Sequence, residues 1–329
     1  MSRPRPRLAF IAWTPNSGRA RDVAGALGGE ARNYFALGIV KRWAVPLRYA
    51  IDALRTAGYL LRRRPGAVIV TNPPVIPAAI AWAYASLAQV PFVLDSHISA
   101  FGLAGDRVSE RLLSVHGWLA RRAVSTLVTD EELAATVRDW GGRAAVVHEP
   151  PPGLELPLPS PPEGRPRLLF IGTFAGDEPT AELIAAAARV PSVDIHVTGD
   201  VRRCPAELRV SAPANVTLVG YLTGDSYGRE LAEADAVLAL STERHSVMRT
   251  AYEAVYARRP LIVPDRPLLR ELFPYAVHVP VTAEGIAAGM ERAFSRHAEL
   301  VAAADAAREL QLDRWARQKA VLEEALNHA

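Results

Sequence analysis

The sequence has a single cysteine, Cys204, among 329 residues, so no internal disulfide can form and packing and hydrogen bonds must hold the fold. It also lacks a long unbroken apolar run. The longest apolar segment, Val75 to Leu94, contains Pro77, Gln89 and Pro91. These divide it into a short helix and a strand, whereas a membrane span needs about 20 apolar residues in a row. The opening MSRPRPRLAFIAW is too short in apolar residues before Thr14 to serve as a secretory signal, and a cytoplasmic location is expected. Charge of one sign is missing too: the formal net charge is only +3, which demands no polyanionic partner, and no nucleic acid is expected. The turn in IAWTPNSGRARDVAGALG holds one glycine rather than G-x-G-x-x-G, and no Walker lysine loop is present. Dinucleotide dehydrogenases and P-loop enzymes are thereby disfavoured. Neither a His/Cys cluster with zinc spacing nor an Asp-x-Asp appears, so no metal and no cofactor is expected. A phosphate bound here would be steadied by arginines and helix termini.

What is present is a chain half hydrophobic by composition, more than one compact core usually holds and suited to two α/β domains. Short β-rich runs alternate with helical patterns: RLAFIAW, AVIVTN, PFVLDSH, STLVTD and AAVVHEP, then RLLFIGT, VDIHVTGD, NVTLVGYL, AVLALS, PLIVPD and AVHVP. Near-continuous apolar runs separated by helices mark parallel sheets covered on both faces. The proline-dense stretch from Pro150 to Arg167 forbids regular helix and reads as an extended linker. The expected divisions are 1–155, a linker at 156–166, 167–295, and a helical segment at 296–329. One helix stands out. Pro46–Arg64 spaces Leu47, Ile51, Leu54 and Leu61 helically and ends in three arginines beside Tyr59. It reads either as a packed helix with a solvated basic end, the commoner case, or as a helix lying on a membrane surface.

Doubly wound sheets bind ligands beyond the carboxyl ends of their strands, and Asn72, His97, Thr129, Gly172, Asp200, Tyr221, Thr242 and Asp265 fall at or just past such ends. His97 after PFVLDSH can hydrogen-bond a sugar hydroxyl or steady charge at a reacting centre, and Asp95 can orient its neighbours. A histidine there is as readily structural. In LSTERHSVMRTAYEAVYARRPLIVPD, His245, Arg249 and Glu253 follow at four-residue steps. With helix starting near Ser246, Arg249 and Glu253 share a face. Arg249 would supply a charged donor to an anion at the helix N-terminus. Glu253 would accept both hydroxyls of a ribose. The plainer alternative is an i,i+4 ion pair, worth a few tenths of a kcal/mol. In FIGTFAGDEPTAELI, Gly172 permits close approach of a ligand to the backbone, with Thr173, Asp177 and Glu178 beside it. Asp177 is either a ligand contact or the N-cap of a helix opening at Pro179.

Together TNPPVIP, DSHISAF, GTFAGDEPTAEL, VTGD, NVTLVGYL and RHSVMRTAYEAVYARRPLIVPD resemble the bacterial glycosyltransferases of the family 4 type with the GT-B fold, in order and spacing, over most of residues 7–295. The TNPP…DSH portion is also similar to chitobiosyldiphosphodolichol beta-mannosyltransferases. The resemblance implies an α/β GT-B fold, two Rossmann-like doubly wound domains facing a central cleft, the first on the acceptor side and the second binding a nucleotide sugar. It implies transfer from a UDP- or GDP-type sugar to an acceptor hydroxyl on a glycan or polyprenyl-linked acceptor. It matches His97 to the cleft histidine at the donor sugar, Glu253 to the ribose-binding second glutamate of Glu-x7-Glu, and Tyr221–Leu222 to the loop under the base. His245 stands where the first glutamate would be, and Thr173 where a basic pair begins in most relatives. Asn16, Ser17, Gly18 and Asn72 would face the acceptor, and the basic helix would allow peripheral contact with a membrane. A nucleotide-sugar epimerase and a non-catalytic partner subunit are the competing functions.

Overall fold

The computed structural model describes residues 7–38, 42–103, 108–153, 156–159 and 164–327. It forms two compact units, Met1–Pro150 with Arg314–Ala329, and Pro151–Asp313.

In unit 1 the order is β1 (Ala9–Ala12), α1 (Gly18–Ala26), β2 (Glu30–Asn33), α2 (Val45–Arg63), β3 (Val68–Asn72), α3 (Val75–Ala88), β4 (Phe92–Ser96), α4 (Glu110–Ala120), β5 (Ser125–Val128), α5 (Glu131–Asp139) and β6 (Ala144–Val146). The strands form one parallel sheet in the order β2-β1-β3-β4-β5-β6. β1, β4 and β5 are buried along their whole length, which is why they read as largely apolar runs, with the buried polar residues of β4 and β5 at their ends. One face of the sheet packs Val68, Val70 and Leu94 against Leu60, Ala78, Ala81 and Leu119. The other packs Phe10, Val93 and Leu127 against Val23 and Ala24.

The sequence pattern does not show β2, whose residues are Glu-Ala-Arg-Asn. This edge strand is half buried and carries no β-branched run, so pairing with β1 makes it a strand rather than propensity. Its side chains are tied to α2: Glu30 accepts from Tyr59 Oη at 2.7 Å and lies 3.6 Å from Arg63. Helix starts follow local capping chemistry, with Ser17 accepting from Ala20 N at 3.1 Å and Asp130 from Leu133 N at 2.8 Å.

Unit 2 runs β7 (Arg167–Phe170), α6 (Thr180–Ala187), β8 (Asp194–Thr198), α7 (Ala206–Ser211), β9 (Val216–Gly220), α8 (Gly224–Glu233), β10 (Ala236–Leu238), α9 (Arg249–Tyr256), β11 (Leu261–Pro264), α10 (Pro267–Leu272), β12 (Val277–Val279), α11 (Ala283–Ser295), α12 (His297–Ala302) and α13 (Ala304–Asn327). Its sheet is also parallel, ordered β12-β11-β10-β7-β8-β9. Part of the expected linker packs on this unit: Leu156 lies against its core, and the Pro157 carbonyl accepts from the buried Arg259 at 3.0 Å. Residues 160–163 of that stretch lie outside the described residues.

The last residues of α13 belong to unit 1, where Trp315 and Leu322 are buried in its core. The expected segment 296–329 is therefore divided between the units. The Gln318 amide holds His148 by two bonds, accepting from its backbone N at 2.9 Å and donating to its Nδ1 at 2.9 Å. Nε2–H of His148 then donates to the Thr129 carbonyl at 3.0 Å. Burial lowers the His148 pKa to about 4, so the ring is neutral near pH 7. Among the described residues, no helix is long and apolar enough to cross a membrane.

Candidate functional site

In unit 1 the strand order reverses between β1 and β3, the place where open parallel sheets leave room for a ligand. The β1–α1 turn, the end of β3 and the end of β4 meet there. Asn16 is exposed, Ser17 is the N-cap of α1, and Gly18 opens that helix. His97 follows β4 directly, its backbone N bonded to the Asn72 carbonyl at 2.8 Å. Its side chain is 51% exposed, so it is available to a ligand.

Asp95, expected beside it to orient its neighbours in the catalytic group, is almost fully buried and ion-paired. Arg19 in the first turn of α1 donates to both its oxygens, Nη2 to Oδ1 at 2.9 Å and Nε to Oδ2 at 3.1 Å. The same guanidinium bonds Glu149 at 3.1 Å and the carbonyls of Val147 at 2.9 Å and His148 at 3.2 Å. Burial alone would raise the Asp95 pKa, but the charge of Arg19, with His97 adding to it, overrides this and holds the carboxyl well below the usual range. Arg19 is likewise held above its ordinary value, because Asp95 and Glu149 outweigh the cost of burial. Asp95 is therefore a fixed anion that exchanges no proton near neutrality. It lies 3.6 Å from His97 Nε2, where it can orient the ring.

Asn72, expected on the acceptor side, is fully buried, and neither atom of its amide has a hydrogen-bond partner. It lies opposite Ser96 in the β3–β4 register and is closed off from solvent. Ser96 is also taken: its Oγ lies 2.8 Å from His116 Nε2. His116 Nδ1 lies 3.1 Å from the Ala100 carbonyl, which can only accept, so Nδ1 carries the proton and Ser96 donates to Nε2. Burial lowers the His116 pKa to about 4.

In unit 2 the reversal lies between β7 and β10, and the loops after these two strands carry most of the expected donor residues. The β7 loop is drawn tight at Gly172, where an added Cβ would come within 2.5 Å of the Phe170 ring. Its amides have an anion already. The Glu178 carboxylate accepts from Thr173 N at 2.8 Å, Phe174 N at 2.8 Å and Thr173 Oγ1 at 2.9 Å. Asp177 is not the N-cap; Pro179 occupies that position, without a side-chain bond. Asp177 instead accepts from Ser241 Oγ at 2.8 Å, while its carbonyl accepts from Thr242 N at 2.7 Å. These bonds join the β7 loop to the β10 loop.

The helix after that loop begins at Arg249 rather than near Ser246, which leaves the half-buried His245 in the turn before it. Arg249 Nε donates to Glu253 Oε1 at 2.8 Å, the i,i+4 pair. The other oxygen, Oε2, accepts from Tyr227 Oη of α8. Burial, and then the Glu253 charge, raises the Tyr227 pKa, so its hydroxyl remains a donor. Tyr221 is 65% exposed and Leu222 half buried in the loop after β9. Among the described residues, no group of three or more His, Cys, Asp or Glu is arranged to hold a metal ion.

Sequence reasoning missed Arg19, Glu149, His116 and Tyr227. A signal existed for the first: an aspartate near the end of an apolar strand must find a cation or a set of donors, and Arg19 lies in the first turn of the helix after the neighbouring turn. Tyr227 and His116 sit on helices remote in sequence from their partners, and no local pattern announces them.

Residues 8–153 match the glycosyl transferase 4-like domain, while no curated protein matches the sequence. The whole chain resembles solved structures at low identity. Anabaena HepE in complex with UDP and glucose superposes with a TM-score of 0.72 at 15% identity, over 99% of this chain and 100% of that one. Sucrose-phosphate synthase from Thermosynechococcus elongatus gives 0.73 at 16%, over 97% and 98%. A glycosyltransferase from Rickettsia africae gives 0.64 at 14%, over 98% and 100%. The two parallel sheets are those of the GT-B fold seen in these structures, and residues 8–153 resemble the glycosyl transferase 4-like domain.

Proposed function

We propose that this chain transfers a sugar from a uridine diphosphate sugar to an acceptor hydroxyl, without a metal ion, on a glycan or polyprenyl-linked acceptor. The observation that carries the reading is the group formed by Arg249, Glu253 and Tyr227 at the start of α9, beside the switch point of unit 2. Glu253 is half of an ion pair and is only 12% exposed, yet it lies one turn into a helix whose free amides favour an anion. A nucleotide docking there would place its phosphates toward Arg249 and its ribose hydroxyls toward Glu253. UDP is favoured over other nucleotides because HepE, which shares the fold, has been solved with UDP and with UDP-glucose.

Sugar transfer passes through a transition state with positive charge on the reacting carbon and negative charge on the departing diphosphate. Arg249 and the α9 amides would stabilise the second. In unit 1, His97 is the exposed group suited to hydrogen-bond the sugar, and Asp95 fixes its orientation from 3.6 Å. Asp95 itself neither gives nor takes a proton. The reading is tested by calorimetric titration of UDP, GDP, TDP and ADP into the protein and its Glu253→Ala variant. Selective binding of UDP that the variant loses supports it; equal weak binding of all four, unchanged in the variant, overturns it.

A further inference from the structure

Helix α2 presents its apolar residues on the wrong side for a globular protein. Trp43, just before it, is 81% exposed, and Leu47, Leu54 and Leu61 are 56%, 75% and 65% exposed. The three leucines are seven residues apart, a spacing that drifts only about 20° per repeat, so they form one stripe along the helix. Ala50 and Gly58 extend the stripe without adding polarity. The opposite side carries the buried Asp52, Thr56 and Leu60. Asp52, the one acid in the helix, accepts from Ala36 N at 3.0 Å and contributes no negative charge to the outer face.

Beside the leucines runs a second column, Arg55 and Arg62, each one residue on from a leucine and exposed, with Arg64 exposed just past the helix. Neither Arg55 nor Arg62 has an acidic partner among the described residues. Arg48, the first of this column, is turned inward over the rings of Phe35 at 4.4 Å and Tyr49 at 5.1 Å. A tryptophan, a leucine stripe and an unpaired arginine flank on a 19-residue helix make the surface of a helix that lies in the plane of an anionic bilayer.

We infer that the outer face of α2 docks unit 1 on a membrane rich in anionic lipid. The leucines and Trp43 enter the acyl boundary while Arg55, Arg62 and Arg64 meet the headgroups. A second copy of the chain fits less well, because pairing two such faces brings their arginine columns together. The inference adds a surface to the polyprenyl-linked acceptor proposed above, but stands without the transfer reaction.

Flotation of the full chain with vesicles tests it. Vesicles of phosphatidylcholine with a graded fraction of phosphatidylglycerol should bind the protein increasingly, and raised salt should weaken the binding. The Leu54→Glu/Leu61→Glu double variant should lose at least tenfold in partition, and Arg55→Gln/Arg62→Gln several-fold at high phosphatidylglycerol. Both keep the wild-type circular dichroism and UDP titration, which separates failure of docking from failure of the donor reading. The inference is overturned by absence of vesicle binding in the wild type, or by unchanged partition in the leucine variant. A wild-type dimer that the leucine variant dissolves, with no lipid binding, also overturns it and assigns the face to a second copy.

Discussion

Both units place acidic side chains toward the carboxyl side of their sheets, yet treat them in opposite ways. In unit 1, Asp95 is sealed by a guanidinium that also holds Glu149 and two carbonyls, and only His97 is left open. In unit 2, Glu178 is held by the Thr173 and Phe174 loop amides, groups that the phosphates of the proposed donor would themselves use, while Glu253 is held by Arg249 and Tyr227. The first arrangement is a finished scaffold that orients one ligand-facing residue. The second, on the proposed reading, is a provisional pairing that would exchange when the donor arrives. Glu178 would then be a placeholder where Asp95 is a brace.

Removing the brace should have the largest effect. Arg19→Ala leaves Asp95 buried without its cation, and urea unfolding should show a loss of about 3–5 kcal/mol; a loss below 1 kcal/mol would show that the network is not structural. Acid should act on the same unit next. His116 and His148 both have pKa values lowered to about 4, against about 6.5 unfolded. The unfolded chain therefore binds more protons between these values, and their contribution, complete above pH 6.5, is lost as pH falls toward 4. Unfolding at pH 5 should be easier than at pH 7 by on the order of 1–2 kcal/mol per histidine, and His116→Asn should flatten that dependence.

The placeholder half should respond in binding rather than in stability. Glu253→Ala should weaken UDP by about 10- to 100-fold, the scale of hydrogen bonds to a charged group, with little change in melting temperature. His97→Ala, at a half-exposed position, should lower turnover and leave both melting and UDP affinity unaltered; a drop in affinity instead would move His97 into the nucleotide site. The smallest effect falls on Glu178→Ala. Freeing the Thr173 and Phe174 amides should tighten UDP several-fold, about 1 kcal/mol. Weaker binding in that variant would show that Glu178 shapes the loop for the donor rather than standing in its place.

The strands were legible where both faces are covered, since burial favours the largely apolar runs of AFIA, FVLDS and LIVP. β2 was not, because Glu30 and Arg32 face neighbours on α2 rather than the core. Positions just past strand ends could be found from the pattern alone, among them His97 and Gly172. What they touch could not. The strand pattern placed Asp95 and Asn72 near strand ends but announced neither the enclosure of Asp95 by Arg19 nor the full burial of Asn72. The start of α9 at Arg249 rather than Ser246 was equally hidden, since Val247 and Met248 pack against the core before the helix begins. Position along a chain is local, whereas pairing is decided by which strand lies next door.

The bonds from Gln318 to His148 join positions 170 residues apart. During synthesis the first sheet is complete in sequence once residue 146 has emerged, but the groups that finish it arrive last. At about 5–20 residues per second, the ribosome needs on the order of ten to thirty seconds to deliver them. For that interval the nascent first unit displays the bare patch that Trp315 and Leu322 later cover, together with an unclamped His148. The time during which this chain is most open to aggregation is thus set by translation of its second half.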